Sequence, residues 1–188
     1  MTTSGRIELM APAGNFESMQ AALDNGCDSI YFGVEQLNMR ARATVNFVLD
    51  DLPEIARRCN EKNVRTYLTL NTIIYDHDLS IVKTLLTKAK EAGITAVIAS
   101  DQAVIMTART IGMEVHISTQ LNVTNIETVK FYAMFADTIV LSRELSLRQV
   151  KKITEDIEKE QVKGPSGNLV EIEIFGHGAL CMAVSGKC

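Results

Sequence analysis

Short apolar runs alternate with amphipathic helical patterns along the whole chain. The apolar runs have the length and the β-branched and aromatic residues of strands. The stretches between them repeat apolar residues at the spacing of helices. The predicted strands are residues 7–11, 29–33, 64–70, 96–100, 115–118, 138–141 and 169–175. The predicted helices are residues 16–25, 52–62, 79–92, 103–111, 126–135 and 147–160.

Residues at the helix ends support several of these boundaries. Asn15, Asp51 and Asp101 stand at helix starts, where their side chains can accept the first backbone N–H groups. Ser146 and Gln149 have the spacing of a capping box. Glycines at the ends of three helices favour a left-handed closing residue, and these are Gly26, Gly93 and Gly112.

The alternation predicts parallel strands joined by right-handed crossovers. A (β/α)₈ barrel and a doubly wound open sheet both fit, but no G-x-G-x-x-G or P-loop is present. Complete barrels usually need roughly 250 residues, and this chain has 188. We therefore predict an α/β fold, an incomplete TIM-like (β/α) barrel with about seven strands and six helices. Residues 1–188 would form a single domain, truncated before the last βα unit.

Composition limits the partners and the location. A formal charge of −4 and a pI ≈ 5.4 give no whole-chain attraction for nucleic acid or anionic membranes. The apolar runs are too short to span a bilayer and no signal peptide is evident, which favours a reducing cytoplasmic location. In such a protein Cys27 and Cys59 are expected to be buried inert thiols, and His116 a core histidine.

Polar residues follow most of the predicted strands, where active sites of (β/α) barrels form. Two carboxylates, Glu8 and Glu173, lie within strands and need partners if they point inward. The polar residues at or after strand ends include Asn71, Asp101, Ser118, Gln120, Arg143, Glu144 and His177.

Simpler structural roles compete with chemistry at several of these positions. Asp101 also fits an N-cap, and Arg143 with Glu144 fits an ion pair. Arg40 and Arg42, in the run M-R-A-R-A, can bind an anionic substrate or stay solvated.

His177 precedes Cys181 by four residues, so the two would share a face if the segment is helical, and Cys188 follows. Three chemistries fit these residues: a Cys181–His177 nucleophile pair, a zinc site, or half of a four-thiolate iron–sulfur site. The spacing C-x₆-C does not choose among them, and two ordinary thiols fit as well.

The end of the chain carries a more specific pattern. E-I-F-G-H-G-A-L-C at residues 173–181, followed by S-G-K-C at 185–188, resembles the signature of the peptidase U32 family. The runs E-L-M-A-P-A-G at 8–14, H-I-S-T-Q at 116–120 and L-S-R-E-L-S at 141–146 are similar to the same family. Gly176 departs from it, because a hydrophobic residue such as valine is more usual there.

The resemblance implies two kinds of activity. The family was named for collagenase-like proteolysis. Its better-understood branches are iron–sulfur proteins that hydroxylate tRNA uridine, ribosomal RNA cytidine or ubiquinone precursors without oxygen. In those branches four cysteines hold a [4Fe–4S] cluster, and the first two fall on Cys181 and Cys188. The RNA-modifying members are thought to use prephenate as hydroxyl donor.

On this resemblance we expect a [4Fe–4S]-dependent RNA hydroxylase acting on tRNA. A peptidase with a Cys181–His177 site, or a non-catalytic partner of a paralogous U32 subunit, is the alternative. Hydrogen-bonding or proton-transfer roles are expected for Glu8, Asn71, Gln120, Glu173 and His177. Substrate contacts are expected from Arg40, Arg42, Arg143, Glu144, Asp101 and Ser118.

Overall fold

The computed structural model describes residues 7–34, 47–178 and 182–187. Strands and helices alternate throughout these residues. The strands are β1 Met10–Pro12, β2 Ser29–Phe32, β3 Arg65–Leu70, β4 Ala96–Ala99, β5 Glu114–Ile117, β6 Thr138–Val140 and β7 Glu171–Glu173. The helices are α1 Phe16–Asp24, α2 Leu52–Glu61, α3 Leu79–Glu91, α4 Gln102–Thr110, α5 Ile126–Ala133 and α6 Leu147–Glu160.

The seven strands that the described residues form make one sheet, in the order β1-β2-β3-β4-β5-β6-β7. Every neighbouring pair is parallel. Sequential order is that of a (β/α) barrel, whereas a doubly wound sheet reverses its order at a switch point. The incomplete-barrel prediction is therefore confirmed, and the open-sheet alternative is wrong. Both edge strands, β1 and β7, have three residues and are shorter than predicted.

The helix ends follow the predicted chemistry with one correction. Asn15 caps α1 and Ser146 forms a capping box with Gln149. Asp51 stands at the N-cap position of α2, but its carboxylate accepts the backbone N–H of Val48 at 2.8 Å. Its backbone is already helical, so its side chain serves the short 3₁₀ turn before α2 instead. The three predicted closing glycines have positive φ: Gly26, Gly93 and Gly112.

Strand side chains alternate between the helix layer and the barrel interior. The outward set packs against the helices and forms the main core, with Ile30, Leu68, Val97, Ile117 and Ile139 among its members. The inward set contains a smaller apolar cluster of Tyr67, Ala96 and Ile98. Cys27 and Cys59 are buried free thiols as predicted, and burial raises the pKa of Cys59 to about 11. Within the described ranges, no helix combines the length and hydropathy needed to cross a bilayer.

His116 points into the barrel interior and is 3% exposed, which confirms the core-histidine prediction. Its Nε2 lies 3.2 Å from Glu114 Oε1, and its Nδ1 lies 3.7 Å from Glu173 Oε2. The ring also packs against Tyr67, with centroids 4.5 Å apart. Burial opposes the charged imidazolium, but the two carboxylates outweigh it and raise the pKa of His116. The histidine thus links β5 to the edge strand β7.

We expect the protein to lose stability as pH rises through this raised pKa. The imidazolium is favoured in the folded state, so its contribution is complete below the unfolded pKa of about 6.5 and disappears above the folded pKa. The groups facing it are Glu114 of its own strand, Glu173 of β7 and the Tyr67 ring of β3. His116→Gln should therefore flatten the decline of Tm as pH rises above about 6.5, by roughly 2–4 °C for each kcal/mol removed. Parallel declines in the two proteins would contradict this role.

Candidate active site at the carboxyl ends of the strands

Six of the predicted site residues lie in the loops that follow β3 to β6. This is the end of the sheet at which (β/α) barrels carry their active sites. Glu173 closes β7 and contacts His116, while His177 lies exposed four residues further on. The six loop residues are Asn71, Asp101, Ser118, Gln120, Arg143 and Glu144.

Asn71, Ser118 and Gln120 are brought together between β3 and β5. Asn71 Nδ2 donates to Ser118 Oγ at 3.4 Å, and the backbone N–H of Gln120 donates to the same oxygen at 3.3 Å. Ser118 is buried and begins a short 3₁₀ turn, Thr119–Leu121. This buried hydroxyl therefore connects the side chain of Asn71, after β3, to the backbone of the loop after β5.

Asp101 holds two loops in place with its carboxylate. Oδ1 accepts the backbone N–H of Ala103 at 2.8 Å, so the N-cap prediction for α4 is confirmed. Oδ2 accepts the backbone N–H of Ile74, in the β3–α3 loop, at 3.4 Å. Since both oxygens bind backbone groups, Asp101 positions the two loops, and its predicted substrate contact stays a prediction.

The segment 182–187 is fastened to the loop after β6 through the buried Ser185. The Ser185 N–H donates to Glu144 Oε1 at 2.7 Å. The backbone N–H and the Nε of Arg143 each donate to Ser185 Oγ at 3.4 Å. The hydrogen bond from Ser185 lowers the pKa of Glu144. We call Arg143, Glu144 and Ser185 the Ser185 clasp.

Gly186 brings the same segment against the loop after β5. It has φ +74°, and a Cβ built there would lie 2.4 Å from the carbonyl oxygen of Gln120. Only glycine fits both the left-handed backbone and this close approach. The turn is closed by a hydrogen bond from the Lys187 N–H to the Val184 carbonyl at 2.9 Å. The segment between Cys181 and Cys188 is thereby attached to the loops of both β5 and β6.

Glu8 lies at the opposite end of the barrel. It precedes β1, forms an ion pair with Arg65 at the start of β3, and accepts the Tyr67 hydroxyl at 2.8 Å. Burial raises the pKa of Tyr67 to about 12. The structure thus separates Glu8 from Asn71, Ser118 and Gln120, because β1 begins after Glu8 and the residue meets its partners at the amino ends of the strands.

Four predicted site residues lie outside the described residues: Arg40, Arg42, Cys181 and Cys188. Among the side chains that are described, no group of three His, Cys, Asp or Glu residues converges on a possible metal position.

Sequence reasoning missed two contacts that shape the site. Ser185 was not singled out, although the S-G pair of the final motif was a usable signal for a tight turn. Ser142 Oγ donates to Asn122 Oδ1 at 2.8 Å and joins the loops after β6 and β5. Asn122 has φ +51°, which asparagine tolerates better than most residues, and this was the available local signal.

Comparison with known proteins agrees with the final motif. The sequence model of Peptidase family U32 matches residues 14–188. The chain belongs to this family. The resemblance read from the residues around His177 and Ser185 is confirmed.

The U32 relatives carry two kinds of name. A collagenase of Porphyromonas gingivalis is 54% identical over 182 residues, which cover 97% of this chain and 44% of that protein. The tRNA hydroxylation protein P1 of Bacillus subtilis is 30% identical over 184 residues, covering 96% of this chain and 41% of that protein. The chain therefore spans less than half the length of these relatives.

A solved U32 structure shares the fold. The U32 peptidase Mk0906 superposes with a TM-score of 0.66 at 15% sequence identity, over 93% of this chain and 70% of that one. At this identity the likeness shows the barrel architecture alone.

Proposed function

We propose that this U32 chain belongs to an enzyme that hydroxylates uridine in tRNA without oxygen, with a [4Fe–4S] cluster as cofactor and prephenate as hydroxyl donor. The relative named for tRNA hydroxylation supports the RNA substrate. The Ser185 clasp carries the proposal, because it fastens the segment between Cys181 and Cys188 at the carboxyl ends of the strands.

Two cysteines of this chain, Cys181 and Cys188, have the side chains that ligate such a cluster, and they would supply two of its four ligands. Cysteine thiolates are the usual ligands of [4Fe–4S] clusters. In the sequence, Cys181 and Cys188 directly flank the segment that the clasp holds. The remaining two ligands would come from other parts of the full-length protein. The cluster would supply the redox chemistry of the reaction.

The chain's own residues would bind and orient the substrates. Arg143, a member of the clasp, is exposed, and its guanidinium has the geometry that binds phosphate or carboxylate groups, including the carboxylates of prephenate. Gln120 and Asn71 present amide groups that can hydrogen-bond to a base edge. His177, exposed after β7, is our candidate for proton transfer. Arg40 and Arg42 stay predicted phosphate contacts.

A peptidase is the second candidate, favoured by the 54% identity to the collagenase of Porphyromonas gingivalis. It would use Cys181 as nucleophile and His177 as base. A nucleophile pair of this kind needs only one cysteine. It does not explain why the segment that leads to Cys188 is hydrogen-bonded to the loop after β6. For this reason we propose the hydroxylase as the first candidate.

The domain and its partners complete the proposal. We place residues 1–188 in one barrel domain whose last βα unit lies elsewhere in the full-length protein, since β1 and β7 are edges of the described sheet. Other parts of that protein would make most of the phosphate contacts with RNA, because this chain has a formal charge of −4. A cytoplasmic location and a paralogous U32 subunit as partner belong to the same proposal.

The decisive experiment purifies the full-length protein without oxygen and deletes its gene. The protein should be brown, with the absorption of an iron–sulfur cluster, and the deletion should remove a hydroxylated uridine from tRNA, measured by mass spectrometry of nucleosides. Blocking prephenate synthesis should cause the same loss. A colourless, iron-free protein that cleaves gelatin, with unchanged nucleosides in the deletion strain, would establish the peptidase instead.

A further inference from the structure

The β3–α3 loop, residues 71–78, presents large side chains to solvent at the carboxyl end of the barrel. Ile74 packs against the main core. Its neighbours Ile73 and Tyr75 are 71% and 61% exposed. Clusters of exposed apolar side chains of this kind mark interaction surfaces. This one lies on the side of the barrel that carries the candidate site.

Two aromatic side chains of the loop form a stacked pair. The rings of Tyr75 and His77 are parallel within 3°, with centroids 5.8 Å apart. The side chain of His77 is 79% exposed, so the pair packs against itself while much of its surface faces solvent. A stacked aromatic pair that remains exposed resembles the rings on which proteins stack an unpaired base.

The loop is held in one conformation by backbone hydrogen bonds. The N–H of Tyr75 donates to Asp78 Oδ2 at 3.0 Å, and the N–H of Ile74 donates to Asp101 Oδ2 at 3.4 Å. A short 3₁₀ turn, Asp76–Asp78, then leads directly into α3. Because the loop is already ordered, a ligand that binds there loses little free energy to ordering it.

The loop is continuous with the candidate site through its first residue. Asn71 contacts Ser118, Ser118 accepts the N–H of Gln120, and the Gln120 carbonyl faces Gly186. Tyr75 lies four residues further along the same loop, so the stacked pair and these contacts belong to the same end of the barrel.

We propose that Tyr75 and His77, with Ile73 beside them, form a stacking platform for an unpaired base of the RNA substrate. This role rests on the proposed RNA hydroxylation, and it adds the recognition of a single-stranded region to it. A peptide side chain is the competing ligand, and the test below separates the two.

The charges around the platform favour base faces over phosphates. Asp76 and Asp78 flank His77 in sequence, and His77 Nε2 lies 3.5 Å from Asp78 Oδ1. Carboxylates at this position repel phosphate groups, so stacking rather than ion pairing would hold the RNA here. Substitutions in the platform should therefore weaken RNA binding without changing the salt dependence of the affinity. That dependence is set by the number of phosphate contacts.

The test measures binding of unmodified tRNA, oligouridylate and duplex RNA to the full-length protein. Tyr75→Ala should weaken binding of tRNA and oligouridylate about tenfold, the size expected for one lost stacking contact, and leave the slope of log Kd against log salt unchanged. Tyr75→Phe should restore affinity because the ring remains. Phe131→Ala is the matched control, since Phe131 is a half-exposed aromatic residue on the helix α5.

Two results would overturn the platform. In a wild-type protein that hydroxylates tRNA, equal RNA affinity of Tyr75→Ala and Phe131→Ala would remove its role while leaving the proposed function intact. Unchanged RNA affinity with impaired gelatin cleavage in Tyr75→Ala would assign the surface to a peptide. A wild-type protein that neither binds nor hydroxylates tRNA would overturn the proposed function and the platform together.

Discussion

Replacing Cys181 with alanine in the full-length protein is expected to remove bound iron and hydroxylated uridine together. Four-thiolate clusters depend on each ligand, and Cys181 is one of the two that the proposal places in this chain. Cys59→Ala is the matched control. Cys59 is buried in α2, with its pKa raised to about 11 by burial, so its loss affects packing and not iron. Iron content of the protein purified without oxygen, and the nucleosides of the complemented deletion strain, give the measurement.

Cys188→Ala separates the hydroxylase from the peptidase. A cluster loses a ligand in either cysteine variant, so both should be bleached and inactive. A Cys181–His177 nucleophile pair would tolerate loss of Cys188 and keep cleaving gelatin. Full iron content in Cys181→Ala, or hydroxylation that survives either substitution, would contradict cluster ligation by this motif.

The strand order could be predicted from the sequence because its cause is local. Each helix between two strands forces a parallel crossover, and the absence of nucleotide-binding glycines removed the competing fold. The caps at Asn15 and Ser146 were equally local, since each side chain bonds within its own first turn. Asp51 shows the limit of this reasoning. One preceding 3₁₀ turn redirected its carboxylate to Val48.

The contacts of the site could not be predicted because they join distant parts of the chain. Glu144 and Ser185 are 41 residues apart, and Asn71 and Ser118 are 47 apart. The sequence pattern predicts which residues follow a strand end, but the hydrogen-bond partner of such a residue depends on how neighbouring loops pack. Glu8 illustrates the same point at the other end of the barrel, where pairing with Arg65 and Tyr67 decides its role.

Gly186→Ala is expected to impair the full-length enzyme more than it destabilises the fold. The new Cβ would meet the Gln120 carbonyl oxygen at 2.4 Å, a backbone atom that cannot move aside as a flexible side chain would. The segment between the cysteines must shift away from the β5 loop, and displacements of about 1 Å can lower rates by on the order of 100-fold. The left-handed backbone adds roughly 1 kcal/mol of strain.

Gly167→Ala isolates the effect of the close approach from that of the strain. Gly167 has φ +83°, close to the +74° of Gly186, but a Cβ there meets nothing within 4 Å. Both variants should lose thermal stability from backbone strain, Gly186→Ala more because of the close approach, and only Gly186→Ala should also lose iron and hydroxylation. Equal activity in the two variants would mean that contact between Gly186 and Gln120 does not position the cysteine segment. If both variants lose activity in proportion to their loss of Tm, the defect comes from reduced folding stability. Backbone strain at Gly167, far from the site, would then be enough to lower activity.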